Sequence, residues 1–227
     1  MDLLSTVRRI AVVAPHPDDE ILGCGGTMAR AAAAGIEVHV IVVTRGQPPL
    51  FEQGLVDRIR RETLNAHAMI GVAKTHFLDF PAAALDQVPR SDLNHALSGA
   101  LSRIEPDLML VPVVGDIHLD HQIVFNAAMV HARPRSSSGP ACVLAYETLS
   151  ETNWLAPGVT PAFIPNVFID ISATIDAKIA AFSSFETQVK PSPDERSIDA
   201  IRALATLRGA TVYRHAAEAF VMIRQVA

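Results

Sequence analysis

The chain has 227 residues, of which 49% are hydrophobic and 19% are charged, and its formal net charge is −5. This composition is typical of a globular protein and excludes a disordered one. The negative charge and the absence of a block of Lys and Arg exclude a protein that follows nucleic-acid phosphates, so we expect a small-molecule ligand. A chain of this length can bury about 70% of its unfolded surface, and we expect residues 1–227 to form a single domain.

Membrane insertion, secretion and disulfide bonding are not expected from this sequence. No stretch of about 18 uninterrupted apolar residues is present, so no membrane span is expected. The first residues, MDLLSTVRRIAVVAPHPDD, lack the basic region, apolar core and cleavage site of a signal peptide, which predicts a cytoplasmic protein. Cys24 and Cys142 are far apart and form no CxxC spacing, so neither a disulfide framework nor a thiolate zinc site is predicted.

Apolar runs alternate with helical patterns along the chain. In chain order we predict strand 9–14, helix 22–34, strand 37–44, helix 55–70, strand 74–78, helix 92–104, strand 108–113, helix 121–132, strand 143–147, strand 167–171, helix 173–185 and helix 196–208. Strands that read as continuous apolar runs and are joined by helices are typical of a parallel sheet covered on both faces. The sequence therefore predicts a Rossmann-like α/β fold with a mostly parallel sheet.

A glycine-rich segment, GCGGT, follows the first strand and opens the first helix. Such segments often bind the pyrophosphate of a dinucleotide, but the glycine spacing here differs from GxGxxG. The acidic residues Asp18, Asp19 and Glu20 stand before it and would repel a pyrophosphate. A fold of the nucleotide-binding kind is therefore predicted without its phosphate site.

The segment PHPDDE, residues 15–20, places a histidine and three acidic side chains at the end of the first strand. Carboxylates crowded at the edge of a buried sheet are tolerated when a cation neutralises them, and a divalent metal ion supplies the largest local charge. Catalytic zinc sites typically use three protein ligands and leave a fourth position for water. His16 and Asp19 suit two of these positions, and Asp18 is left free to act as a base.

The segment GDIHLDH, residues 115–121, follows the fourth main strand, so it meets the same edge of the predicted sheet. One of its histidines, His118 or His121, supplies the third metal ligand. The other histidine is then available to stabilise an oxyanion, and Asp120 between them can orient a ring nitrogen. Ligand chemistry alone leaves open which histidine takes which role.

PHPDDE and HLDH together resemble the paired signature, (A/P)HPDD and HxDH, of the PIG-L/LmbE-like zinc N-deacetylases. Further segments resemble that family in the same order, namely RRETLNAHAMIGV, IEPDLMLVP, LAYET, FIPNVFIDIS and LATLRG. The resemblance runs through most of the chain, and its nearest branch is the bacterial one that acts on N-acetylated amino sugars. It implies the PIG-L/LmbE-like fold and the hydrolysis of an N-acetyl amide.

The resemblance also implies a role for the main residues of the two motifs. His16, Asp19 and His121 would be the zinc ligands. Asp18 would be the general base, and His118 would help to stabilise the tetrahedral oxyanion. Iron and cobalt are alternatives to zinc, since a site of nitrogen and oxygen ligands also accepts them.

Supporting roles and a substrate-binding arginine are expected around the two motifs. Asp120 would support a histidine ligand, and Glu20 would orient backbone groups of the metal loop. Relatives carry a substrate-binding arginine just before the glutamate of the second main helix. Arg58, Arg60 and Arg61 compete for that position, and we favour Arg60.

Three further side chains are candidates for substrate contacts. Arg45, in the turn after the second strand, is placed to grip a hydroxyl or a phosphate. Tyr146 ends a strand and is expected to line the sugar pocket, and Trp154 offers a flat face to a sugar. The loops 47–54 and 152–165 are expected to set specificity.

We therefore expect a zinc-dependent enzyme that removes the N-acetyl group from an amino sugar and releases acetate. The alternative enzyme is a metal-dependent amidase that acts on a non-sugar amide, such as a thiol conjugate or an antibiotic intermediate. A non-catalytic protein that binds a metal or a sugar is disfavoured, because the expected base Asp18 is present. The resemblance also suggests a homo-oligomer, as in many relatives.

Overall fold

The computed structural model describes residues 2–134, 139–156, 158–159 and 162–226. Its strands are β1 Arg9–Ala14, β2 Glu37–Arg45, β3 Lys74–Pro81, β4 Leu108–Pro112, β5 Cys142–Tyr146, β6 Val167–Asp170 and β7 Ala217–Gln225. Its α-helices are α1 Asp19–Ala33, α2 Gln53–Met69, α3 Arg90–Ile104, α4 Leu119–His131, α5 Ile175–Ser183 and α6 Ile198–Thr211. Short 3-10 helices occupy Leu3–Thr6, Leu85–Gln87 and Thr152–Trp154. None of the described helices has both the length and the apolar character needed to cross a membrane.

The strands form one seven-stranded sheet in the order β3-β2-β1-β4-β5-β7-β6. The neighbours from β3 to β5 are all parallel, and in this register Ile10 of β1 lies opposite Val38 of β2 and Leu108 of β4. Strand β7 runs antiparallel to both β5 and β6. The mostly parallel α/β fold predicted from the sequence is confirmed.

Helices cover both faces of the sheet, so all of β1 except its first residue is buried. Successive residues of β1 enter opposite cores. Val12 belongs to the core that includes Met28 of α1 and Phe182 of α5, whereas Val13 belongs to the core that includes Leu97 of α3. Burial on both faces explains why β1 reads as a continuous apolar run, and it holds the carboxyl end of β1 in the middle of the sheet.

The strand order reverses at β1. The chain runs outward from β1 through β2 to β3 and then returns to the other side of β1 with β4 and β5. In open α/β sheets, ligands bind in the crevice outside the carboxyl ends of the strands at such a switch point. The segments PHPDDE and GDIHLDH follow β1 and β4, so they meet at this crevice.

Several element bounds differ from the sequence prediction by up to three residues, as at the ends of β3 and α6, and two differences concern the sheet and the site. Strand β7 is not among the predicted elements, because the partners that pair with AEAFVMIRQ lie far back along the chain. Helix α1 begins at Asp19 rather than at Leu22, since the acidic side chains of Asp19 and Glu20 favour the positive end of a helix. The earlier start places Asp19 on the first turn of α1.

The glycine-rich segment lets α1 lie close against the sheet. A Cβ atom on Gly23 would overlap the ring of Tyr146, whose Cγ would be 2.8 Å away. A Cβ atom on Gly26 would lie 2.7 Å from Cδ1 of Ile171. The Tyr146 ring has no room to move, since it is fully buried and its hydroxyl donates to the carbonyl of Val13. These glycines therefore serve the close packing of α1.

We expect Gly23→Ala to destabilise the protein. The added methyl group has no free space, and overpacking of this kind lowers the free energy of unfolding by about 1–3 kcal/mol. Urea denaturation followed by circular dichroism measures this change. Gly54→Ala in α2 is the matched control, because a Cβ atom there meets nothing within 4 Å, so its unfolding free energy stays the same or rises. Equal stability of the Gly23→Ala protein and the unsubstituted protein would contradict the packing explanation.

Candidate metal centre and active site

The loop between β1 and α1 carries His16 and Asp18, and Asp19 follows as the first residue of α1. The backbone N–H of His16 donates to Oδ2 of Asp19 at 2.8 Å, which closes the loop into a tight turn. Asp18 precedes the helix with a φ of 102°, a left-handed conformation that is unusual for a residue other than glycine. As a result the two adjacent carboxylates have different partners, His121 for Asp19 and Arg196 for Asp18.

Three potential ligand atoms converge at this loop, one each from His16, Asp19 and His121. Nδ1 of His16 lies 3.2 Å from Nε2 of His121, and Oδ2 of Asp19 lies 3.2 and 3.1 Å from these nitrogens. A metal that binds its ligands tetrahedrally at about 2.0–2.1 Å spaces them about 3.3 Å apart. The other oxygen of Asp19, Oδ1, is buried and has no hydrogen-bond partner in the described part of the chain. The donor set therefore fits a tetrahedral divalent metal ion with one coordination position left over.

A carboxylate orients each of the two histidine rings. Nε2 of His16 lies 3.0 Å from Oδ2 of Asp120, and Nδ1 of His121 lies 3.0 Å from Oδ2 of Asp116. A hydrogen bond to one ring nitrogen fixes the tautomer that leaves the other nitrogen free for a metal. Asp116 was not singled out from the sequence, although it stands within GDIHLDH, five residues before His121.

Asp120 is itself held by the backbone. Its carboxylate accepts from the N–H groups of Ala83 and Leu85 at 2.7 and 3.2 Å. His16, His118 and Asp120 also lie close enough together to hold a metal ion. Both oxygens of Asp120 accept from backbone N–H groups, whereas Asp19 keeps one oxygen, Oδ1, without a hydrogen-bond partner in the described part of the chain, so the set that includes Asp19 fits a metal better.

The charges around the two histidines favour positive charge at the centre. Burial lowers the pKa of His121, but Asp19 and Asp116 outweigh this effect and raise the pKa to about 10. Burial likewise lowers the pKa of His16, but hydrogen bonds with Asp120 and Asp19 raise the pKa to about 9. A divalent cation would take the place of these protons, because metal ligands bind in their deprotonated form.

Asp18 faces the cavity beside the three ligand atoms, and Arg196 holds it. Nη1 of Arg196 donates to Oδ2 of Asp18 at 2.8 Å and to Oε1 of Gln188 at 3.1 Å, while its Nε donates to Oγ of Ser150 at 3.0 Å. Burial raises the pKa of Asp18 to about 7 against the lowering effect of the Arg196 charge. No motif in the sequence marks Arg196, which lies 178 positions from Asp18 along the chain.

His118 is the N-cap of α4, and its Nδ1 accepts from the backbone N–H of Asp120 at 3.2 Å. Burial and the neighbouring histidines, His16 and His121, lower the pKa of His118, so its ring is neutral at pH 7. Because Nδ1 is an acceptor, the proton of the neutral ring lies on Nε2. His118 therefore presents a hydrogen-bond donor at the cavity that it helps to line.

A cavity of about 230 Å³ opens above these groups. Its floor includes His16, Asp18 and His118, and its wall includes the aromatic rings of Phe51 and Phe77. The model of the family described as PIG-L, GlcNAc-PI de-N-acetylase, matches residues 11–132, which is more than half of the chain. The chain belongs to the PIG-L family.

Individual relatives agree with this assignment. The uncharacterized deacetylase YaiS of Escherichia coli K12 is 31% identical over 194 residues, which cover 82% of this chain and 96% of YaiS. A 1D-myo-inositol 2-acetamido-2-deoxy-alpha-D-glucopyranoside deacetylase of Rhodococcus jostii is 27% identical over 82% of this chain and 83% of its own. The conserved protein TT1542 of Thermus thermophilus superimposes with a TM-score of 0.77 at 28% identity over 96% of each chain. The family resemblance inferred from the two motifs is confirmed.

Glu20 links the PIG-L metal loop to a second histidine. Its Oε2 accepts from the backbone N–H of Asp18 at 3.2 Å, and its Oε1 lies 2.9 Å from Nε2 of His67. Nδ1 of His67 in turn lies 2.7 Å from Oγ1 of Thr75. The sequence offered no reason to connect His67, on α2, with the loop, because only folding brings α2 next to α1.

Two of the predicted substrate contacts lie outside the cavity. Tyr146 is fully buried with its hydroxyl bonded to Val13, because its strand position directs the ring into the core beneath Gly23. The expectation that Tyr146 lines the pocket is therefore wrong. Trp154 is 59% exposed, does not line the cavity and donates its indole N–H to Glu195 at 3.0 Å. Its expected role as a flat face for a sugar stays a prediction.

The arginines of α2 separate in the structure. Arg60 lines the cavity, where its guanidinium lies 3.8 Å from the centre of the Phe77 ring. Arg58 pairs instead with Glu62 and Glu186, and Arg61 is exposed. Arg45 also lines the cavity. The substrate roles of Arg60 and Arg45 stay predictions.

We expect Asp116→Asn to weaken metal binding by roughly 10- to 100-fold, because the neutral amide no longer makes the His121 ring a stronger donor. Competition with a zinc-binding chelator measures this dissociation constant. Asp176→Asn is the matched control, since Asp176 is exposed and pairs with Arg202 on the surface. Equal affinities for the Asp116→Asn and Asp176→Asn proteins would refute the orienting role of Asp116.

Proposed function

We propose that this protein is a zinc-dependent hydrolase that removes the N-acetyl group from an N-acetylated amino sugar and releases acetate. The observation that carries this proposal is a buried carboxylate, Asp18, next to a set of metal ligands, with Asp18 and the ligand His16 both lining a cavity. The family description and the names of the relatives support an acetamido sugar as the substrate, since both refer to N-acetylated glucosamine derivatives.

The metal ligands in this proposal are His16, Asp19 and His121. A zinc ion bound there would lower the pKa of a coordinated water to about 7 and polarise a carbonyl oxygen. Two nitrogen donors and one carboxylate oxygen suit zinc, and they also accept iron or cobalt.

Asp18 is the proposed general base. Arg196 occupies its Oδ2, and Oδ1 makes no hydrogen bond with any residue that the structure describes. Oδ1 is therefore free to take a proton from the water that attacks the amide carbonyl. A pKa of about 7 suits a group that takes this proton and later returns it to the leaving amine.

His118 is the proposed oxyanion donor. Its neutral ring carries the proton on Nε2, and the N-cap bond to Asp120 fixes the ring on the cavity floor. A fixed donor at this place stabilises the negative charge that develops on the carbonyl oxygen as water adds.

The proposal is tested by mass spectrometry of zinc-loaded protein incubated with N-acetylated amino sugars, free and nucleotide-linked. We expect one acetyl group to be lost from at least one sugar. The Asp18→Ala protein should keep its zinc and lose about 10²- to 10⁴-fold in turnover, because the proton acceptor is gone. The Asp19→Ala protein should lose both zinc and turnover.

Full activity of the Asp18→Ala protein would contradict the assignment of the base. If zinc-loaded protein removes acetyl from none of the sugars but does so from a thiol conjugate or another non-sugar amide, the substrate class is wrong while the hydrolase chemistry stands.

We expect His118→Ala to lower kcat by about 10²- to 10³-fold with little change in KM, because the lost hydrogen bond forms only as the oxyanion develops. Zinc content, measured by atomic emission, should stay at the level of the unsubstituted protein. Loss of zinc from the His118→Ala protein would show instead that His118 is a metal ligand.

A further inference from the structure

The cavity lining contains three arginines, and they differ in how their charge is balanced. Arg60 and Arg196 each donate a hydrogen bond to a carboxylate, at 2.7 and 2.8 Å. The side chain of Arg45 donates no hydrogen bond to any residue that the structure describes. Its ion-pair partner in that part of the chain is Asp57, whose Oδ1 lies 4.0 Å from Nη2, and both side chains are exposed at this contact.

One donor group of the Arg45 side chain, the Nε–H, is buried without a hydrogen-bond partner in the described part of the protein. A buried donor without a partner is unfavourable, and folded proteins satisfy nearly all such groups. Nε itself is out of reach of a molecule in the cavity, but the Arg45 side chain is 37% exposed and helps to line the cavity, so its other guanidinium N–H groups can donate to a molecule bound there.

The position of Arg45 ties it to the same substrate that reaches Asp18. Strand β2 pairs with β1, and at its end Thr44 donates through N and Oγ1 to the carbonyl of Pro15, at 3.0 and 2.8 Å. Pro15 directly precedes His16, and Arg45 directly follows Thr44. A group bound by Arg45 therefore lies in the cavity whose floor holds the reacting amide.

The acidic residues of the lining do not neutralise Arg45. All three are paired with the other two arginines: Asp79 with Arg60, and Asp18 and Glu151 with Arg196. The charge of Arg45 is therefore the least balanced among the cavity arginines.

We propose that Arg45 binds an acidic group of the substrate, a phosphate or a carboxylate. The planar guanidinium presents several N–H donors in a geometry that matches the oxygens of these groups. A neutral hydroxyl could accept a hydrogen bond from the guanidinium but would leave its positive charge unbalanced. This inference rests on the proposed function and narrows the substrate class to N-acetylated amino sugars that carry an acidic group.

The test compares neutral and acidic substrates on the same zinc-loaded protein. The probes are N-acetylglucosamine, its 1-phosphate, its 6-phosphate and N-acetylmuramic acid, which carries a carboxylate, and acetate release gives kcat and KM for each. Arg45→Gln removes the charge, and Arg45→Lys keeps it. Arg90→Gln is the matched control, because Arg90 is exposed at the start of α3 and does not line the cavity.

We expect the KM of at least one acidic probe to be about tenfold or more below that of N-acetylglucosamine, since a hydrogen bond to a charged group is worth this much. Arg45→Gln should raise that KM by roughly 10- to 100-fold and should raise the KM of the neutral sugar by a clearly smaller factor. Arg45→Lys should retain part of the preference, and Arg90→Gln all of it. The phosphate and carboxylate probes distinguish the two kinds of acidic group.

Equal KM values for neutral and acidic probes in the unsubstituted protein would overturn the acidic-group site, and this comparison needs no variant to fold. An equal rise in KM for all probes in the Arg45→Gln protein would overturn it as well. In both cases deacetylation, and with it the proposed function, would stand. Absence of acetate from every probe, with bound zinc verified, would overturn the proposed function and this inference together.

Discussion

The structure of this site depends on buried carboxylates whose negative charge must be compensated. Four aspartates lie almost without solvent contact outside the carboxyl ends of β1 and β4: Asp18, Asp19, Asp116 and Asp120. A carboxylate in a protein interior is strongly unfavourable unless positive charge or hydrogen-bond donors compensate it. Asp19, Asp116 and Asp120 contact the rings of His16 and His121, and Asp18 contacts Arg196. One nitrogen of each histidine and the carboxylate of Asp19 converge on the same point. A metal cation bound there best compensates the negative charge of the aspartates.

The fold brings these charges together without placing them in the core. β1 is the central strand at which the strand order reverses, and its neighbour β4 supplies the second segment to the same crevice. Helix α1 begins at Asp19, so the positive end of the helix adds to the compensation of the acidic loop. Gly23 and Gly26 let α1 lie close to β5 and to the chain after β6. The glycine-rich segment thus contributes to the site, because it fixes the position of the helix that carries Asp19.

The rest of the site is supplied by segments that are distant in the sequence. Arg196 joins Asp18 to Ser150 and Gln188, so the base is held by two loops from the second half of the chain. The second half thus positions a group on the loop after β1, and the PIG-L match at residues 11–132 does not include it. Arg45 lines the same cavity, and no described residue lies close enough to balance its charge as Asp18 balances that of Arg196. This difference is the basis for the inference that the substrate carries an acidic group.

The sequence by itself determined the α/β fold, the family and the two motifs, because these depend on short-range patterns: apolar runs, helical spacing, and acidic residues next to a strand. It also located His16, Asp18, Asp19 and His121 at one edge of the sheet. Only the tertiary structure decided that Asp116 and Arg196 contact this group, that Tyr146 faces the core, and that β7 completes the sheet. These features depend on which distant segments pack together and on which face of an element a side chain lies. Local sequence patterns do not predict such long-range contacts.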